Sequence, residues 1–379
     1  MQVNKLKVLF LVNIPSPYRV DFFNELGKHC ELTVLFEREI TNERDKSWLG
    51  KDFKNFKAVF LKGKKISKNI FVCIEVINYI QKRLFDVFVI GGYSTPTGML
   101  AIEVLKIKKI PFILNSDGGI MKIENKVKFL IKKHFISSAS SWLSTGKQTN
   151  EYLVYYGAKT ENIFVYPFTS LFKKDLLEDL VDQLTKERIK EKLNINQEKV
   201  ILSVGRFINI KGFDILLKAS TKLPREYGIY IIGGEPTQEY LSIIKKLKIN
   251  NVHFVDFKTK DVLKMYYMAS DIFVLPTRGD VWGLVINEAM AYGLPVVTTD
   301  KCVAGLELVK NYENGFIIPA NDSDTLAKSI RIILEDNTLL KDMARNNLMK
   351  IRYYTIENMA KKTNELFNYI INKEKYKKD

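Results

Sequence analysis

Residues 276–297 read Pro276-Thr277-Arg278-Gly279-Asp280-Val281-Trp282-Gly283-Leu284-Val285-Ile286-Asn287-Glu288-Ala289-Met290-Ala291-Tyr292-Gly293-Leu294-Pro295-Val296-Val297. The apolar run Ile272–Leu275 just before them has the length of a buried strand, and apolar residues recur at helical steps beyond Gly283. Gly293 and Pro295 then punctuate the chain ahead of a second strand, Pro295–Thr298. Strand, loop, helix and strand in that order make a βαβ unit and therefore a parallel sheet. Gly283 lets a ligand approach the backbone closely, and the helix that starts there offers unpaired N–H groups and a positive dipole end to an anion such as a diphosphate. Asp280 stands in the loop and Glu288 about a turn and a half into the helix, so one crevice can receive both carboxylates. Acceptor-only groups of this kind suit sugar and ribose hydroxyls.

The same rhythm extends in both directions. Upstream, Lys7–Val12, Leu32–Phe36, Val87–Ile90, Phe112–Leu114 and Ile163–Val165 read as strands. Tyr18–Lys28, Ile70–Arg83, Gly98–Ile107, Lys126–Ile136 and Lys147–Tyr156 read as helices between them. The pattern pauses at Tyr166-Pro167-Phe168-Thr169-Ser170, where a hinge is expected, and resumes after a charged helical stretch, Leu177–Leu193. A second strand series follows at Val200–Val204, Tyr230–Ile232, Val252–Val255, Ile272–Leu275, Pro295–Thr298 and Phe316–Ile318. The expectation is an α/β chain of two facing, doubly wound, Rossmann-like parallel-sheet domains, over 1–168 and 169–355, with an interdomain cleft. The final helical stretch within 356–379 can pack on either. Because open α/β sheets bind ligands at the carboxyl ends of their strands, functional residues belong in the strand-to-helix loops.

One such loop agrees independently with the quoted segment. Ser203-Val204-Gly205-Arg206 ends the first strand of the second series, and Lys211-Gly212 follows closely. A planar guanidinium fork and a point charge on one loop can neutralise a departing diphosphate.

Together, Arg206, Lys211 and the 276–297 segment resemble the family 4 retaining glycosyltransferases of the GT-B fold, with their two carboxylates separated by seven residues. The resemblance is strongest over 200–320 and weaker before 120. It implies that Arg206 and Lys211, with the helix at Gly283 and Leu284, bind the donor diphosphate, that Glu288 holds the ribose, and that Asp280 holds the donor sugar. This sequence has Asp280 where the family usually has Glu, which shortens the reach by about one methylene, roughly 1.5 Å. Ile231-Ile232-Gly233-Gly234-Glu235-Pro236 resembles the family's strand-end glycine turn. Val252–Phe257 corresponds to a segment beneath the nucleobase, where Phe257 either stacks on the base or is an ordinary buried ring. Asp117, in Asn115-Ser116-Asp117-Gly118-Gly119, aligns with a position where relatives place a histidine near the transferred sugar, so it joins Asp280 and Glu288 as a candidate catalytic residue. The alternative for Asp117 is an Asp-Gly turn without chemistry. Asn13-Ile14-Pro15-Ser16-Pro17-Tyr18-Arg19 replaces the family's glycine pair, placing Pro17, Tyr18 and Arg19 on the acceptor side or in a purely structural loop.

The resemblance further implies a nucleotide-sugar donor, UDP-linked rather than GDP-linked. It implies transfer with retention to a saccharide acceptor, one carried on a lipid in cell-surface polysaccharide assembly. It calls for no metal, no other cofactor and no protein nucleophile.

Composition narrows the alternatives. The net charge is +16, about +11 of it in residues 1–170 and about +5 in 171–379. An anionic surface or a phosphorylated substrate accounts for that as well as nucleic acid would, and no zinc-finger spacing or RNP motif accompanies it, so nucleic acid is not expected as a partner. No apolar run approaches the roughly 20 residues of a membrane span. Cys30, Cys73 and Cys302 have no paired spacing, which fits a reducing cytoplasm. Lys126–Ile136, KVKFLIKKHFI, reads either as a basic amphipathic helix on an anionic membrane or as an ordinary helix packed on the sheet, and Lys62–Lys68 adds charge in the same half. Asp322-Ser323-Asp324 spells a DxD but reads as a helix N-cap. His29, His134 and His253 lack metal spacing, and neither G-x-S-x-G nor G-x-G-x-x-G occurs where a hydrolase or a dehydrogenase needs it. Two rivals remain: a nucleotide-sugar epimerase on the same fold, and a non-catalytic basic binding protein.

Overall fold

The computed structural model describes residues 5–39, 52–67, 70–121 and 124–376. The chain divides into two compact units, the first from Met1–Phe172 with Tyr354–Asp379, the second from Lys173–Tyr353. Both are parallel-sheet, Rossmann-like α/β domains.

In the first unit the strands are β1 (Lys7–Val12), β2 (Glu31–Phe36), β3 (Lys57–Phe60), β4 (Lys64–Ser67), β5 (Ile70–Val72), β6 (Val87–Ile90), β7 (Ile113–Asn115), β8 (Ser141–Ser144) and β9 (Ile163–Val165). Seven of them form one parallel sheet in the order β3-β2-β1-β6-β7-β8-β9, while β4 and β5 pair as a separate antiparallel hairpin. β1 is central: Leu9 lies opposite Thr33 of β2 on one side and Phe88 of β6 on the other. Val8–Val12 are all buried, the continuous apolar run expected of a strand covered on both faces. Phe23 of the helix Pro17–Leu26 packs edge to face on Phe10 and Phe36, with Phe22 tilted against it. Each such buried ring contributes about 1.5–3 kcal/mol through apolar burial.

The second unit has β10 (Lys199–Val204), β11 (Tyr227–Ile232), β12 (Val252–Val255), β13 (Ile272–Leu275), β14 (Val296–Thr299) and β15 (Gly315–Ile318), ordered β12-β11-β10-β13-β14-β15 and parallel throughout. The order reverses between β10 and β13, which makes the carboxyl edge at those two strands the switch point where open α/β sheets bind ligands. In the first unit the corresponding switch falls between β1 and β6.

The structure corrects the expected helix Ile70–Arg83. Its first residues form β5, and only the single turn Val76–Tyr79 is helical. Val76 and Ile80 are both buried, which is why helical spacing is visible in the sequence. The backbone between them and β5 is committed elsewhere, since Cys73 N–H donates to Thr97 Oγ1 at 3.1 Å. The charged stretch Leu177–Leu193 is helical only over Gln183–Lys192, where Asp182 starts the helix by accepting from Thr185 N–H at 2.9 Å. The last helix, Ile356–Tyr376, packs in the first unit against Pro17–Leu26, and Ile356 N–H donates to the Leu171 carbonyl at 2.7 Å. Residues 377–379 of that stretch and Lys68 of the basic run lie outside the described residues. Among the described residues, no helix is long and apolar enough to cross a membrane.

Candidate active site

The second unit assembles its polar groups at the β10/β13 switch. Beyond β10 the chain makes a tight turn at Asn209–Lys211 and enters the helix Phe213–Ser220 through Gly212, whose φ of 70° lies in the left-handed region. A Cβ there would sit 2.0 Å from the Pro276 carbonyl oxygen, so only glycine lets this turn meet the loop after β13. The two loops are then stapled by backbone and side chain. Arg278 N–H and Thr277 Oγ1 both donate to the Ile210 carbonyl, at 2.7 and 2.8 Å. The Arg278 guanidinium donates to the Asn209 carbonyl at 2.6 Å and to Asp214 at 2.7 Å, and its Nε donates to Asn321 Oδ1 at 2.6 Å.

This framework brings Lys211 and Asp280 together, with Nζ 2.5 Å from Oδ2 and each side chain 18% exposed. Asp280 is fixed from behind, since its N–H donates to the Lys301 carbonyl at 2.9 Å and its carbonyl accepts from Val303 N–H at 3.2 Å. Gly283 has φ 101° and caps the helix Leu284–Ala291, where a Cβ would come within 2.9 Å of Cys302 Sγ. The open first turn at Gly283 and Leu284 follows directly on the loop that carries Asp280.

Glu288 lies in the second turn of that helix, and its Oε2 accepts from the Tyr267 hydroxyl at 2.9 Å. Tyr267 is buried and stacks on Tyr292 with ring centroids 5.2 Å apart and planes 7° from parallel. Burial, reinforced by the Glu288 charge, raises the Tyr267 phenol well above its ordinary value, so it remains a donor to the carboxylate. Arg206 is exposed, and its guanidinium has no protein partner among the described residues. The Gly233 turn after β11 passes so near that a Cβ would meet the Gly205 carbonyl oxygen at 1.7 Å. Phe257, beyond the edge strand β12, is 68% exposed, so its ring is open to a ligand and is not a core residue.

In the first unit, Arg19 and Asp117 form an ion pair although they are far apart in sequence. Pro17 is the first residue of the helix Pro17–Leu26, and Tyr18 packs edge to face on Phe168 at 5.9 Å. Arg19 is buried rather than open to solvent, with its guanidinium 5.6 Å from the Phe168 ring centroid. Burial opposes its charge, but Asp117, Tyr166 and Tyr18 together outweigh that and raise its pKa above the ordinary arginine value. Asp322 is an N-cap, accepting from Thr325 N–H at 2.9 Å and Asp324 N–H at 3.1 Å. A concavity of about 690 Å³ lined by Lys5, Lys82, Arg83 and Asp86 lies at the amino ends of β1 and β6, the edge of the sheet opposite Asp117.

Sequence reasoning missed Arg278, Asp214, Tyr267 and Tyr166. Arg278 was readable in part, being a charged residue directly after a buried strand end. The other three act through contacts between distant segments that no spacing discloses.

Residues 185–348 match the family described as glycosyl transferases group 1. A glycosyltransferase of Haemophilus influenzae is 28% identical over 76% of this chain and 92% of its own length. The N,N'-diacetylbacillosaminyl-diphospho-undecaprenol alpha-1,3-N-acetylgalactosaminyltransferase of Campylobacter jejuni is 23% identical over 83% of this chain and 86% of its own. Among solved structures, Anabaena HepE in complex with UDP superposes with a TM-score of 0.78 at 17% identity, over 96% of this chain and 100% of the other. That likeness shows a shared GT-B fold.

Proposed function

We propose, because residues 185–348 match the glycosyl transferases group 1, that this chain moves a sugar from a UDP-sugar to a lipid-linked saccharide with retention at the anomeric carbon and without a metal. The observation that carries this reading is the second unit's cation cluster. Arg206 is exposed and uncommitted, Lys211 is preset beside Asp280, and the helix N-terminus at Gly283 follows on the same loop. Such groups stabilise negative charge as it develops on a departing diphosphate, the role a metal plays elsewhere. Glu288, oriented by Tyr267, holds the ribose hydroxyls, with the exposed Phe257 ring available to the base. Asp280 takes the donor sugar from the position its contact with Lys211 fixes. The acceptor hydroxyl attacks on the face the diphosphate leaves, and a phosphate oxygen takes its proton.

The lipid-linked acceptor is supported by the helix Lys126–Ile136. Val127, Leu130 and Ile131 are 66%, 53% and 45% exposed beside exposed Lys126, Lys128 and Lys133. The opposite side is spent on the domain. Phe129 packs 5.3 Å from Tyr155, and Lys132 pairs with Glu124, which also accepts from Tyr156 at 3.0 Å. Aliphatic side chains held in water among lysines suit an anionic bilayer surface. The name of the Campylobacter relative gives it an undecaprenol-linked substrate.

The reading is tested by incubating the protein with UDP-sugars and a diphosphopolyprenol-linked saccharide in anionic vesicles with excess chelator, then assigning the product's anomeric configuration by NMR. Retention with undiminished turnover is expected, together with loss of vesicle binding and of turnover when Leu130 and Ile131 become Asp. Inversion, or abolition by chelator, contradicts the reading. Isomerised donor formed without any acceptor would identify an epimerase.

A further inference from the structure

Trp282 lies between Asp280 and Gly283 in the chain, yet it is only 3% exposed. Its indole Nε1 donates to Asn287 Oδ1 at 2.8 Å, and Asn287 is fully buried one residue before Glu288. An indole N–H can only donate, so the Asn287 amide meets it through its oxygen. The Trp282 main chain is held separately. Its carbonyl accepts from Ala304 N–H at 2.8 Å and from the Cys302 thiol at 3.3 Å. Burial pushes that thiol up to about 12, and the Asp280 charge adds to the effect, so the thiol keeps its proton and remains a donor.

Two separately anchored segments therefore meet at one residue. The loop through Trp282 is fastened to β14 and the chain beyond it. Thr298 Oγ1 donates to the Leu275 carbonyl at 2.9 Å, Thr299 Oγ1 donates to the Thr277 carbonyl at 2.6 Å, and Asp280 is bonded to Lys301 and Val303. The helix Leu284–Ala291 is fastened elsewhere, through Glu288 to Tyr267. Gly283 joins the two, and glycine is the residue that opposes a change of φ and ψ least. The Trp282–Asn287 bond spans that joint, from the residue before the glycine to the fourth residue of the helix.

We infer that Trp282 and Asn287 are positioning residues, whose hydrogen bond locks the glycine joint and so presents the first turn of the helix to the donor diphosphate in one fixed direction. The inference rests on the nucleotide-sugar reading above and concerns the second unit alone. A buried, satisfied hydrogen bond specifies one arrangement, whereas apolar packing at the same place fills space and leaves the joint free to turn. Preorganised N–H groups are worth most to a developing charge when they need not reorient to meet it. Glu288 has its own anchor in Tyr267, so the ribose end of the site does not depend on the joint, and the diphosphate end does.

The test is calorimetric titration of the wild-type protein, Trp282→Phe, Asn287→Ala and the double variant with UDP and with UMP, which keeps the nucleoside but lacks the terminal phosphate. The wild type is expected to bind UDP more tightly than UMP. Each single variant is expected to lose about tenfold in UDP affinity, the scale of one hydrogen bond to a charged group, while UMP affinity stays within about twofold and reports that the second unit is folded. The double variant is expected to lose no more than either single one, because both substitutions break the same bond. Equal losses for UDP and UMP would mean that the pair only holds the fold, and losses that add would mean that the two side chains act independently. Either result overturns the inference, as does UDP affinity unchanged in the variants or a wild type that binds UDP no better than UMP. A wild-type protein that binds neither nucleotide overturns the nucleotide-sugar reading itself, and the inference with it.

Discussion

Arg206→Ala and Lys211→Ala are each expected to lower kcat/KM by about 100-fold or more, the usual consequence of deleting one preorganised group that meets charge developing in a transition state. The two substitutions reach that loss differently. Arg206 is exposed and makes no side-chain hydrogen bond or ion pair among the described residues, so its removal should change thermal stability by no more than about 0.5 kcal/mol while catalysis collapses. Lys211 also neutralises Asp280, and both side chains are largely enclosed, so Lys211→Ala leaves a carboxylate facing an incoming diphosphate. Its loss should therefore be the larger, and Lys211→Ala combined with Asp280→Asn should recover diphosphate affinity relative to Lys211→Ala alone. Steady-state kinetics with matched thermal melts separates these effects. Near-normal activity in both single variants would remove the donor-site assignment.

Gly212→Ala is expected to be among the most disruptive single methyl groups in the second unit. It meets two penalties: a left-handed φ of 70°, and a Cβ 2.0 Å from the backbone oxygen of Pro276, which no side-chain rotation can relieve. The turn must move off the β13 loop, breaking the bonds to the Ile210 carbonyl and carrying Lys211 away from Asp280. A cost of about 3 kcal/mol follows, at the upper end of ordinary single substitutions, and should lower the melting temperature by roughly 6–12 °C. Gly205→Ala is the control. Its Cβ would meet the Phe213 ring at 3.4 Å, an ordinary contact, and should cost less than about 1 kcal/mol.

Much of the fold was legible because parallel strands buried on both faces are written as short apolar runs. β1, β6, β9, β12 and β13 have the bounds the sequence predicts. β8 was missed because Ser141 and Ser144 interrupt its apolar signature although all four residues are buried. β3 was missed because a four-residue edge strand beginning with Lys57 carries too little pattern to separate it from a loop. The Ile70–Arg83 stretch misleads through Val76 and Ile80, whose four-residue spacing is real but is used for a single turn.

The site divides along similar lines. Asp280, Glu288, Gly283 and Lys211 are legible because their chemistry lies within short, contiguous loops. The Arg19–Asp117 pair is not, since it joins residues from the beginning and the middle of the first sheet. Only the sheet order, which brings the ends of β1 and β7 to one edge, makes them neighbours. Phe257 shows the same limit from the other side, because a lone aromatic after a strand does not announce whether it is core or open. Its exposure decides that.

The most direct test of the nucleotide site is a calorimetric titration of the purified protein with UDP, GDP and ADP in chelator-containing buffer, repeated for the best ligand with Glu288→Ala. UDP is expected to bind in preference to the other two, with no sensitivity to chelator, and to lose about tenfold in affinity when the Glu288 carboxylate is removed. Absence of binding by all three nucleotides, or UDP binding that Glu288→Ala leaves untouched, would contradict the assignment of the β10/β13 switch point as the donor site.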